Sequence, residues 1–180
     1  SDTCRQSIYA LMEQARQHGA LVSFDPNLRP MLWPSEREMC KVIGEASLHA
    51  DIVLPGLEEA KRITGLADEK EIGKFYLDQG IQMAVIKLGG SHGAYVCSAA
   101  GAQYVPSYPV ATIVDTVGAG DGFAVGFTSG VLDGLPLYAA ARRGAAIGAL
   151  QIQVAGDNEG LPTRQELETF QRNNEGEDVQ

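Results

Sequence analysis

Four-residue apolar runs separated by helix-length segments constrain this chain most. Residues 21–24, 51–54 and 83–86 are short and apolar, and are followed by Asp-Pro-Asn, Pro-Gly and, two residues on, Gly-Gly. Runs of that length suit strands hidden on both faces. Between them the pattern turns helical. Ile8, Leu11, Met12 and Ala15 share one helix face, as do Met39, Val42, Ile43 and Ala46, the latter behind Ser35 and Glu38 as a capping box. Helical patterns follow at 57–64 and 69–79, a hairpin at 94–97 and 102–105, and two small-residue helices at 119–133 and 137–151. Strands alternating with helices predict an α/β fold with a mainly parallel sheet covered on both faces. Ligands of such sheets bind beyond the carboxyl ends of the strands. Asp25, Asn27, Arg29, Glu59 and Lys87 all fall at or just past those ends.

No internal repeat or linker is visible, so residues 1–172 read as one domain and 173–180 as a polar tail that frays. The net charge of -9 argues against a nucleic-acid partner, which needs a basic face. It leaves a nucleotide site open, because a few backbone N–H groups and one or two cations suffice to hold phosphates. Cys4, Cys40 and Cys97 form no C-x-x-C pair and read as reduced thiols of a cytoplasmic protein. His18, His49 and His92 lack metal-ligand spacing. No apolar stretch approaches the ~20 residues a bilayer span needs, and no signal peptide is visible. The chain opens at Ser1, without Met and directly in a helical pattern, which reads as a fragment or processed product of a longer protein.

The chemistry concentrates in Gly118-Ala-Gly-Asp121, at the head of an apolar helix. Gly118 and Gly120 let the backbone turn tightly and approach a ligand. The first N–H groups of a helix have no internal acceptor and sit at the positive end of its dipole, so they form an anion hole suited to phosphate. Asp121 in the first turn can take the proton of a hydroxyl attacking that phosphate. The plainer alternative is a helix-start carboxylate favoured by the dipole alone. Gly122, Gly126 and Gly130 recur every fourth residue, which suits close helix–sheet packing or room for a nucleotide. A dinucleotide fingerprint is disfavoured by Phe123 in place of its last glycine, and no G-x-x-x-x-G-K-[ST] loop occurs.

The stretch Asp115-Thr-Val-Gly-Ala-Gly-Asp-Gly-Phe123 resembles the C-terminal signature of the ribokinase/PfkB family of sugar kinases. Three further segments resemble that family's motifs in the family's order. They are Phe24-Asp-Pro-Asn-Leu-Arg-Pro-Met-Leu-Trp33 (D-x-N-x-R-x-x-L-W), Leu54-Pro-Gly-Leu-Glu-Glu-Ala60 (N-x-x-E) and Lys87-Leu-Gly-Gly-Ser-His-Gly93 (K-x-G-x-x-G). The likeness runs from about residue 5 to about 168 and is strongest to 2-keto-3-deoxygluconate kinases, with fructokinases next. It implies a ribokinase-like three-layer α/β/α sandwich lacking its N-terminal part and lid. It implies ATP as donor, Mg2+, K+ as a further ion, and a sugar or sugar acid as acceptor. Asp121 is then the general base, with Gly118, Ala119 and Gly120 as the anion hole. Asn27 and Arg29 face phosphates or the sugar acid, and Lys87, Gly89, Gly90 and Gly93 line the nucleotide. Glu59 and Asp115 are the metal-side carboxylates, Asp115 with the Val117 carbonyl in a monovalent-cation loop. Each has a plainer role open to it: Arg29 as a surface ion pair, Lys87 as a strand end in water, Asp115 as a turn residue. Trp33 is expected in the core.

The chain departs from the family at Gly56, where N-x-x-E has asparagine, and at Ala145, where many members carry a nucleotide-side asparagine. The absent half would supply the Gly-Gly sugar segment, the lid and any homo-oligomer contact. A non-catalytic nucleotide-binding scaffold therefore stands as the alternative reading.

Overall fold

The computed structural model describes residues 1–174, so the tail beyond Asn174 lies outside the described residues. The elements are α1 (Asp2–Gln17), β1 (Ser23–Phe24), α2 (Glu36–Ser47), β2 (Ile52–Val53), α3 (Leu57–Thr64), α4 (Glu69–Asp78), β3 (Met83–Lys87), β4 (Ala94–Ser98), β5 (Gly101–Val105), α5 (Ala119–Leu132), α6 (Leu137–Gln151) and α7 (Arg164–Asn174). Two 3-10 turns, at Pro30–Leu32 and Gly90–His92, were not legible in the apolar pattern. The strands form one sheet in the order β1-β2-β3-β4-β5. The chain divides into two compact units, Ser1–Lys87 with Tyr95–Ala102, and Leu88–Ala94 with the chain from Gln103 onward.

In the first unit β1 runs parallel to β2, and β2 parallel to β3, with Ser23 opposite Ile52 and Ile52 opposite Met83. Ile52, Val53, Leu54, Ala84, Val85 and Ile86 are all buried, as strands covered on both faces should be. Met39 of α2 and Ile72 and Tyr76 of α4 complete the core. Each buried Val, Leu, Ile or Met side chain among them contributes on the order of 1.5–3 kcal/mol of transfer free energy. Burial pushes the Tyr76 phenol up to about 12. The Ser35 hydroxyl accepts the Glu38 N–H and starts α2 as the sequence indicated.

The expected apolar face of α1 is mostly uncovered: only Met12 is buried, while Ile8 and Leu11 are 45% and 67% exposed. The helix is held instead through polar groups. Tyr9 stacks on His49 and donates to the Val42 carbonyl. Arg16 donates to Asp51. Trp33 is half-buried, so the core role expected of it is not met.

Asp51 fastens three stretches of the chain at once. Its buried carboxylate accepts from Arg16 Nε at 3.1 Å, the Val22 N–H at 2.9 Å and Gln82 Nε2 at 2.9 Å. Asp51→Asn replaces one acceptor oxygen with a donor that faces other donors. It is expected to cost about 2 kcal/mol in urea unfolding, the magnitude for a buried, charge-assisted hydrogen bond. An unfolding midpoint equal to wild type would show that these contacts contribute nothing net.

In the second unit α5 and α6 lie against each other. The glycine stripe expected to meet the sheet meets α6 instead: a Cβ built on Gly126 would lie 2.7 Å from the Arg143 carbonyl oxygen, and one on Gly130 2.7 Å from the Ala140 Cα. The stripe has a partner stripe in Ala140 and Gly144, which permits that approach. Asp133 caps α5 and holds Arg143 at 2.7 Å and Arg164 at 3.5 Å. The Arg143 hydrogen bond, helped by Arg164, holds the Asp133 carboxyl below its ordinary range. Arg142 lies 3.8 Å over the Tyr108 ring and donates to the Pro106 carbonyl. Helix α7 was not read from the sequence. Its signal is Thr163-x-x-Glu166, a reciprocal cap in which Glu166 accepts the Thr163 N–H and the Thr163 hydroxyl accepts the Glu166 N–H. Among the described residues no helix is long and apolar enough to cross a membrane.

Candidate active site

The first unit places its polar residues at the carboxyl ends of β1 and β3, as expected for a parallel sheet. Lys87 ends β3, and its ammonium forms an ion pair with Asp25, the residue after β1; both side chains are largely buried. The Lys87 N–H also donates to the Pro55 carbonyl at 2.9 Å. Lys87 is thus neither a strand end in water nor an unengaged cation. Its partner Asp25 was legible as a polar strand end and as the first residue of the D-x-N-x-R segment, but not as the partner of Lys87. The two charges are part-buried, and removing either would leave the other uncompensated.

Past Asp25 the chain turns through Asn27, whose φ of 42° makes it the one non-glycine residue with positive φ among those described. The next N–H, that of Leu28, donates to Glu59 Oε1 at 2.7 Å. The Arg29 guanidinium is exposed and folds back on its own loop, donating to the Leu28 carbonyl at 3.1 Å and the Asn27 carbonyl at 3.4 Å. No ion pair of Arg29 is seen among the described residues. Glu59 lies in the first turn of α3, and its Oε2 accepts the Gly56 N–H at 2.9 Å. Both of its carboxylate oxygens are therefore held by backbone donors.

In the second unit the Lys87–Gly93 motif continues as a loop closed by the Leu88 N–H, which donates to the Gly93 carbonyl at 2.9 Å. Gly89 and Gly90 are exposed along it. Gly93 is needed for packing: a Cβ there would collide with the Val105 carbonyl.

Gly118 is the N-cap of α5 at φ 75°, a left-handed backbone that glycine adopts without strain. A side chain at that position would also collide with the Asp157 carbonyl, so the Gly156–Asp157 turn backs directly onto the helix start. The Gly122 N–H makes the first helical bond, to the Gly118 carbonyl at 2.8 Å. The N–H groups of Gly120 and Asp121 precede it and have no acceptor within the helix. Ala119, expected to donate to the anion, instead has its N–H on the Thr116 carbonyl at 3.3 Å. Asp121 itself is exposed on the first turn.

Asp115 ties the same corner together. Its Oδ1 accepts the Val117 N–H at 3.0 Å and its Oδ2 the Gly156 N–H at 3.4 Å. Those donors, Val117 first, hold its carboxyl below the ordinary range. Ala145, one of the departures noted in the sequence, is buried within α6.

The two carboxylates proposed for metals, Glu59 and Asp115, are turned to backbone donors, each with both oxygens. No three His, Cys, Asp or Glu side chains stand together among the described residues.

A helix N-terminus opened by a left-handed glycine can receive an anionic phosphate, and the first-turn Asp121 places a carboxylate beside it. The family model for pfkB family carbohydrate kinases matches residues 1–164, and the chain belongs to that family. It is 45% identical over 162 residues to the 2-dehydro-3-deoxygluconokinase of Bacillus subtilis, covering 90% of this chain and 50% of that protein. The crystal structure of a PfkB protein from Polaromonas superposes with a TM-score of 0.79 at 43% identity, covering 90% of this chain and 50% of the other. A putative ribokinase II from E. coli, solved in complex with ATP and Mg2+, gives a TM-score of 0.81 at 28% identity, over 90% of this chain and 52% of that one. The fold is therefore ribokinase-like, and the chain spans about half the length of the relatives it matches.

Proposed function

We propose that this chain carries the base-bearing part of an ATP-dependent sugar kinase. The γ-phosphoryl group would go to a hydroxyl of a sugar acid of the 2-keto-3-deoxygluconate type. The observation that carries the proposal is Asp121 on the first turn of α5, beside N–H groups with no helical acceptor. Asp121 takes the proton of the acceptor hydroxyl as its oxygen bonds to the γ-phosphorus and the bond to ADP breaks. The Gly120 and Asp121 N–H groups, with the helix dipole, stabilise the charge that develops on the transferred group. Gly118 sets the turn that aims them.

Asn27 and Arg29 serve the anionic acceptor or the phosphates; the planar guanidinium suits a carboxylate bidentately. Lys87, held by Asp25, starts the loop whose Gly89 and Gly90 border the nucleotide. The proposal assigns no protein ligand to Mg2+ or K+. The likeness to the Bacillus subtilis kinase supports the acceptor, and the ATP complex of the E. coli protein supports the donor. Three free thiols suit a reducing cytoplasm.

The test is an acceptor panel with ATP: 2-keto-3-deoxygluconate, its galacto epimer, fructose and ribose, scored by ADP release. The expected result is release that depends on the keto-deoxy acid and exceeds fructose and ribose. ATP binding with no acceptor-dependent ADP release would leave a nucleotide-binding scaffold as the better account.

A further inference from the structure

We infer that Glu59 is a positioning residue that fastens the Asn27–Arg29 loop, and that it does not ligate the metal accompanying the nucleotide. The inference deepens the kinase reading and rests on it for the task of that loop. Three observations on different residues converge.

The first is that both oxygens of the carboxylate are engaged. Oε1 accepts the Leu28 N–H at 2.7 Å and Oε2 the Gly56 N–H at 2.9 Å. A hydrogen bond to an ionised acceptor is among the stronger contacts in a protein. Both oxygens already accept a backbone donor, so a metal that demands near-ideal octahedral geometry would have to share or displace those bonds.

The second is the backbone that Glu59 holds. Asn27 sits at φ 42°, a left-handed backbone that asparagine tolerates better than most L residues and that turns the loop there. Leu28 follows directly, and Glu59 is the side chain that pins its N–H. Arg29 is the next residue, so one carboxylate governs the presentation of both Asn27 and Arg29.

The third is Gly56. The family's asparagine at this position is absent, and no side chain intervenes between Glu59 and the N-cap backbone of α3. A Cβ there would already lie 3.3 Å from Glu59 Oε2. The carboxylate has turned back to its own helix start, where the dipole favours it.

The experiment reads the Leu28 amide and the metal separately. In wild-type protein, hydrogen exchange at Leu28 is followed with ATP plus Mg2+ and with ATP plus chelator. Leu28 is expected to keep its protection in both. A carboxylate that swings onto the metal leaves Leu28, so loss of protection on adding Mg2+ overturns the inference. In Glu59→Gln, Leu28 exchange is expected to rise about tenfold or more, the equivalent of one charge-assisted hydrogen bond. The Mg2+ midpoint for ATP binding, measured by calorimetry, stays within about twofold of wild type. A tenfold shift of that midpoint, or unchanged Leu28 exchange, rejects the positioning role. Should the variant not fold, the wild-type comparison still decides. The kinase reading fails by a different result, the absence of acceptor-dependent ADP release, which none of these measurements requires.

Discussion

Asp121→Asn is expected to lower acceptor-dependent ADP release by about 10²–10⁴-fold, the range that general-base catalysis contributes. That is about 3–5 kcal/mol of barrier. The amide keeps the size of the carboxylate but cannot take the hydroxyl proton. Asp121 is exposed and no hydrogen bond ties it to another residue's side chain among those described, so the fold should barely notice. Loss of its charge at the helix start costs only about 0.3–1 kcal/mol. ATP affinity should hold or tighten, because a negative charge beside the phosphates is gone. The measurements are a coupled ADP assay, calorimetry with ATP, and thermal unfolding. Turnover within about tenfold of wild type, in a variant that folds and binds ATP, would remove Asp121 from the role of base.

Gly126→Val should cost about 3 kcal/mol or more, at the upper end of overpacking effects. The reason is what the new side chain would meet. At Gly126 the nearest atoms are the Arg143 carbonyl oxygen and the Gly144 Cα, both at 2.7 Å. Backbone cannot rotate away as a side chain can, so α5 and α6 must separate along their seam. For a chain of this size the thermal midpoint should fall by about 6–12 °C. Val125→Ala, one residue along and on an exposed side chain, serves as the control and should shift it by less than about 2 °C. Equal midpoints for wild type and Gly126→Val would mean the two helices do not meet there.

Much of this was readable before any coordinates, and particular residues show why. The apolar runs at 21–24, 51–54 and 83–86 became β1, β2 and β3 with ends that differ by a residue or two, but the first is not buried as expected: Leu21 is 50% exposed and Ser23 is exposed. Gly118-Ala-Gly-Asp121 was placed correctly at a helix start because left-handed glycine and a first-turn acid are both local signals. Other residues misled for one shared reason. The apolar face of α1 was read from spacing and Trp33 was placed in the core by side-chain type, yet burial is decided by what packs opposite. The glycine stripe named a close approach but not its partner. Helix α7 escaped because its apolar face is thin, although its Thr163–Glu166 cap was in plain view.

The sequence by itself determined the order of the elements through α6, the family, and the glycine and first-turn acid that open α5. Those depend on residues within a turn or two of one another, where periodicity, capping and glycine act directly. Only the tertiary structure decided which polar groups are already engaged. Asp25 meets Lys87 from 62 positions away, Glu59 meets Leu28 across 31, and Asp115 meets Gly156 across 41. Hydrogen bonds of that separation leave no local pattern, because a carboxylate looks the same in sequence whether it awaits a ligand or holds a loop. The fold settles the difference by bringing a donor within reach, and at Glu59 it brings two.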